Sequence, residues 1–146
     1  MDNSPGFALA VLIEEAGIAL YSRIVALLPD GSREQEEIEY LLQQETYHRS
    51  FYERLMEQTG EEFNPAVDHK TAVESVLKSV SSVLEKGLPV SSREALLVGA
   101  ELERGSILYF SELLKKLPPG ETRNRVKKII SEEKDHLQRI NLLLDI

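Results

Sequence analysis

The chain has 146 residues, 42% apolar and 29% charged, with a formal net charge of -8 and no cysteine. That is apolar material enough for one globular domain with a real core, expected to occupy residues 1–146. The missing cysteine excludes disulfides, thiolate zinc, iron–sulfur clusters and rubredoxin-type iron, so any metal must be held by oxygen and imidazole, while the negative charge opposes a nucleic-acid partner and mildly favours cations.

The six prolines, at 5, 29, 65, 89, 118 and 119, all fall between segments whose apolar residues recur at helical spacing. A first helix is predicted over about residues 5–28, with Ser4 as N-cap and Pro5 in the first turn, where its missing N–H costs nothing. Residues 7–13, the longest apolar run near the start, are too few to span a bilayer and are preceded by Asp2, not by Lys or Arg. The expectation is a soluble, cytoplasmic protein with no signal peptide and no membrane partner. The stripe of this helix reads Phe7, Ala10, Val11, Ile18, Tyr21, Ile24, Leu28, and Glu14 falls in its core phase.

A second helix is predicted over about residues 33–58, with Ser32 and Gln35 spaced as a capping box and an acidic run, residues 34–39, at the end that the macrodipole favours. Its stripe is Ile38, Leu41, Tyr52, Leu55, with Glu45 and His48 where a bundle wants leucine. A shorter helix, about residues 71–86 and closed by Gly87, lies in the long segment that follows; His69, beside Asp68, has no stripe around it and reads as a loop histidine. The third long helix starts after Ser91, which forms the same box with Glu94, and runs to about residue 117. Its stripe is Leu96, Ala100, Ile107, Phe110, Leu114, Leu117, with Glu103 inside. The fourth follows Pro118, Pro119 and Gly120 and runs to about residue 144; Glu133 and His136 interrupt Val126, Ile129, Ile140, Leu143.

Short turns make the first and second, and the third and fourth, long helices antiparallel neighbours. The middle segment is long enough to cross a bundle whose helices are roughly 36 Å long. The predicted fold is therefore all-α: an antiparallel four-helix bundle with a long crossover that contains a short extra helix between the second and third long helices.

Burying one unpaired carboxylate costs several kcal/mol, so four converging on one core would rival the stability of a domain. Two divalent ions supply the opposing charge, and two neutral imidazoles complete the coordination without disturbing it. Glu45 with His48, and Glu133 with His136, each stand three residues apart, on one face of a helix. Two such pairs among three histidines arise by accident at roughly 5%. A second regularity adds force: both pairs are separated by 88 residues and Glu14 from Glu103 by 89, as if one helix pair had been copied. Glu15 competes with Glu14, Glu101 with Glu103 and Glu132 with Glu133; the stripes and the offsets favour the members named first. Tyr21, Tyr47 and Tyr109 can either pack in the core or hydrogen-bond the ligands.

A core-phase Glu with an aromatic seven residues later, then a Glu-x-x-His helix, then both again after a crossover, resembles the ferritin-like superfamily and within it the di-iron domain of the rubrerythrin family. The pattern falls on Glu14 and Tyr21, Glu45 and His48, Glu103 and Phe110, Glu133 and His136. The resemblance implies a ferritin-like bundle holding two iron ions, with manganese or a mixed pair as substitutes. Glu45 and Glu133 would bridge them, Glu14 and His48 would complete one site, Glu103 and His136 the other, and the same six residues would carry catalysis. Rubrerythrins carry a further glutamate, associated with ligand exchange in their peroxidase activity, where this chain has Ser106, and usually a rubredoxin domain, which needs cysteine. The haem-ligand methionine of bacterioferritins corresponds to Thr46, so no haem is expected. The implied function is an oxidoreductase acting on dioxygen or hydrogen peroxide with an external electron donor, as a homo-oligomer, a dimer first. The alternatives are a bacterioferritin-like ferroxidase and iron store, or a metal-free helical interaction module.

Overall fold

Apolar spacing of three and four residues recurs along most of the chain, and helices form where it does. In a computed structural model, which describes residues 6–62, 73–85 and 91–145, these are α1 (Phe7–Leu27), α2 (Arg33–Thr59), α3 (Val73–Glu85), α4 (Ser92–Lys115) and α5 (Glu121–Leu144). No strand occurs among the described residues. Ser4, Pro5, Asp68, His69, Thr71 and Gly87 lie outside them.

The helix ends follow capping chemistry. Ser32 Oγ accepts from the Gln35 N–H at 3.1 Å and Ser91 Oγ from the Glu94 N–H at 3.0 Å, which satisfies one orphan donor at each start. Gln35 reaches back to the Gly31 N–H, one residue before the position a strict capping box uses. Gly60 ends α2 at φ +68°, a backbone that glycine adopts without steric cost. The start of α1 differs from the sequence reading: the helix begins at Phe7, and the Ala8 N–H donates to Glu61 Oε1 at 2.9 Å, a cap supplied by the residue just beyond α2. At the other end of the molecule, the Arg93 guanidinium donates to the Leu144 carbonyl at 3.2 Å, covering an orphan acceptor of α5.

Cross-helix bonds fix the directions. Gly6 at the start of α1 meets Tyr109 near the end of α4, and Tyr21 meets Glu103, so these helices are antiparallel. Glu37 pairs with Arg139 and His48 with Glu132, which makes α2 and α5 antiparallel too. Because α1 is antiparallel to both α2 and α4, the latter two run parallel, and the chain must cross the bundle's length between them.

On the way it builds α3, which lies over α1 and α4. Gly105 admits it: a Cβ there would come within 3.2 Å of Val76. This third neighbour explains why α1 buries more than one stripe. Ala8, Leu9, Ile13 and Leu20 are buried along with most of the predicted positions, whereas Ile18 and Leu28 are only half-buried. Fully burying a side chain of this size contributes about 2 kcal/mol. Among the described residues, no helix is long and apolar enough to cross a membrane.

Candidate metal centre

Halfway along the bundle the apolar layers are interrupted. Glu14 from α1, Glu45 and His48 from α2, Glu103 from α4, and Glu133 and His136 from α5 are all at most 4% exposed. Helical phase put each of them on its own helix's inner face, and the antiparallel packing brings those faces to one level.

The six residues form two overlapping groups, Glu14, Glu45, His48, Glu133 and Glu45, Glu103, Glu133, His136; within each, one candidate ligand atom per residue lies within 4.8 Å of all the others. Glu45 and Glu133 belong to both. His48 Nδ1 stands 2.8 Å from Glu133 and 3.6 Å from Glu14. His136 Nδ1 stands 3.1 Å from Glu45, 3.5 Å from Glu133 and 3.6 Å from Glu103. The two imidazoles are stacked, 5.9 Å between centroids.

Such crowding of anions away from water shows in their proton affinities. Burial pushes the Glu14 and Glu45 carboxyls well above their ordinary value, and the charges of Glu133 on Glu14, and of Glu14 on Glu45, add to it. Burial and then Glu133 push Glu103 up to about 8; burial and then Glu45 raise Glu133. The histidines move the opposite way from what burial alone would do. Burial lowers His136, but Glu103 and Glu45 outweigh it and bring the ring up to about 11. His48 is raised for the same reason, chiefly by Glu133.

A divalent cation pair fits these residues. Both oxygens of Glu14, both of Glu133, Glu103 Oε2 and His48 Nδ1 are buried without a hydrogen-bond partner among the described residues. The short approach of His48 Nδ1 to Glu133 is not aligned as a hydrogen bond, which is why both atoms remain unsatisfied. Orphaned acceptors facing one another at this density are what a cation would satisfy. Carboxylate oxygen and imidazole nitrogen suit iron, manganese or zinc.

The chain matches the rubrerythrin family over residues 7–144. It belongs to that family. No match was found among curated proteins or among solved structures. All six cluster residues lie within the matched span, and rubrerythrin membership together with the glutamate and histidine cluster fits a di-iron protein.

The neighbours that competed in sequence fall elsewhere. Glu15 is exposed and within 4.0 Å of Arg49, and Glu101 is exposed. Glu132 is half-buried and its Oε1 lies 3.1 Å from His48 Nε2, so it buttresses a ligand candidate from behind. Of the three tyrosines singled out, Tyr21 is buried and donates to Glu103 at 2.5 Å, Tyr109 donates to the Gly6 carbonyl at 2.7 Å, and Tyr47 is exposed. Gly17 went unnoticed in the sequence. A Cβ there would sit 2.7 Å from Glu45 Oε2, so its lack of a side chain is what lets the carboxylate lie against α1; its position one turn after Glu14 was the available signal.

Proposed function

We propose that this rubrerythrin-family chain is an oxidoreductase that carries two iron ions and delivers electrons to dioxygen or hydrogen peroxide, an external donor restoring them. The observation that carries the reading is the sharing of Glu45 and Glu133 between two four-residue groups. In it, Glu14, Glu45, His48 and Glu133 would hold one ion, and Glu45, Glu103, Glu133 and His136 the other. When bound, such a pair supplies one electron per metal and a Lewis-acidic surface for a two-atom oxidant.

The chain's own residues set the conditions. Four carboxylates offset a charge of +4, which keeps a dication pair stable in a core that excludes bulk water. Glu132 accepts from His48 Nε2–H, which fixes that tautomer and leaves the Nδ1 lone pair facing Glu14 and Glu133. Tyr21 holds one oxygen of Glu103, leaving Oε2 free. An open cleft of about 340 Å³ between α2 and α5 has His48 and Glu132 in its wall and gives small molecules a way toward the centre.

The test is anaerobic titration with Fe²⁺, followed by rapid mixing with dioxygen and, separately, with peroxide. Two ions per chain and fast optical changes with either oxidant are expected. A slow response to both would defeat the enzymatic reading while leaving metal binding intact; no uptake would favour the metal-free interaction module. Light scattering on the loaded protein separates the expected dimer from the many-subunit shell that an iron store requires.

A further inference from the structure

The two halves of the bundle repeat at an offset of 88 or 89 residues, which makes Glu14 the counterpart of Glu103, Tyr21 of Phe110, and Tyr52 of Ile140. These side chains fall into pairs. A Cβ on Gly99 would lie 3.4 Å from Tyr21 and 3.5 Å from Ile140, so both border the space over Gly99, and the rings of Tyr52 and Phe110 are 5.0 Å apart. Each pair has one phenol and one apolar member, but the phenol has changed helix: α1 supplies it in one pair and α2 in the other.

Tyr21 uses its hydroxyl, donating to Glu103. Tyr52 does not. It is 0% exposed, enclosed by Phe7, Phe51 and Phe110, and its hydroxyl has no hydrogen-bond partner among the described residues. Tyr52 follows His48 by one turn on the same face of α2, and His48 Nδ1 lies 3.6 Å from Glu14 Oε1, so Tyr52 and Glu14 share one side of the centre; burial, then the charge of Glu14, raises the phenol. Neither oxygen of Glu14 has a hydrogen-bond partner among the described residues. A phenylalanine would pack equally well among three rings, whereas a buried hydroxyl with nothing to bond costs stability. The oxygen therefore has a use that the cation-free chain does not display.

We propose that Tyr52 is a positioning residue whose O–H donates to Glu14 when the centre holds its cations, orienting that carboxylate as Tyr21 orients Glu103. The inference rests on the metal reading of the centre. It makes the two metal positions unequal: Glu103 is pinned before any cation arrives, and Glu14 only as one binds. Tyr52 thus acts on one binding step and not on the other.

The experiment compares wild type, Tyr52→Phe and Tyr21→Phe in anaerobic titrations with Co²⁺, read by visible absorption, together with the melting temperature of each protein without metal. Wild type is expected to take up two equivalents. Tyr52→Phe should lose roughly tenfold in affinity at one step and keep the other, while Tyr21→Phe weakens the step that Tyr52→Phe spares. Metal-free Tyr52→Phe should melt at or above wild type, because an idle buried hydroxyl is gone. Two unchanged binding steps in Tyr52→Phe would overturn the proposal while the metal centre stands; a variant that melts lower without metal, or does not fold, would place the hydroxyl in the scaffold and overturn it as well. No cobalt uptake by wild type would remove the centre and this inference together.

Discussion

Two turns of α1 separate Glu14 from Tyr21, and one further turn leads to Ile24, which is buried with Ile38 and Leu41 of α2 as completely as Glu14 is buried with Glu103 and Glu133. The two layers share helices, depth and packing, yet differ in what keeps them folded. Around Ile24 the gain is removal of apolar surface from water, at about 25 cal/mol per Å², and it does not depend on pH or on ions. Around Glu14 the same burial desolvates carboxylates that also repel one another, so this layer opposes folding until protons or cations compensate it. The bundle is thus held by its ends and made conditional by its middle.

The largest effect expected from this contrast is the loss of an end-layer side chain. Ile24→Ala should cost about 2–5 kcal/mol in denaturant unfolding, and the same amount with or without metal. A cost that changed with metal content would mean that the layers are not independent. The opposite sign is expected in the middle. Glu14→Gln removes a buried acid, and should stabilise the metal-free chain at pH 7 by about 1–3 kcal/mol while weakening metal binding. Destabilisation by that change would show that Glu14 is satisfied without a cation.

Acidity sharpens the comparison further. Burial, then Glu133, raises Glu103 to about 8 from 4.5, so the folded chain holds that proton at pH values where the unfolded chain has lost it. For His136, burial opposes the proton but Glu103 and Glu45 prevail, raising it from 6.5 to about 11 with the same consequence. Both contributions are complete below the unfolded values and fade as pH rises toward the folded ones. The metal-free protein should therefore melt roughly 5 °C lower at pH 8 than at pH 5, and cobalt affinity should rise over the same interval as the ion displaces those protons. A melting temperature that climbed with pH would contradict the assignment of buried, raised acids. The smallest effect is local. Gly17→Ala pushes a methyl toward Glu45 Oε2 and should weaken metal binding by roughly tenfold, seen in the same titration, with the rest of the fold intact.

The four long helices, their antiparallel pairing, the need for a crossover, and the six glutamates and histidines of the middle layer are all legible in the order of the amino acids. A helix's phase is a local property: a glutamate where every third or fourth neighbour is apolar must face inward, whatever it meets there. Ser32, Ser91, Pro29, Pro118 and Pro119 bounded the helices for equally local reasons. What stands opposite a given phase is not local, and it follows from how the helices pack on one another. The Tyr21 to Glu103 bond spans 82 residues and the His48 to Glu132 contact 84, so neither could be told from core packing or a solvated acid along one helix. The same holds for α3, which lies against α1 and α4, and for Gly17, whose missing side chain matters only because a carboxylate from α2 occupies the space. A period of 3.6 residues orients a side chain about its own axis, and the packing of one axis on another then chooses its partner.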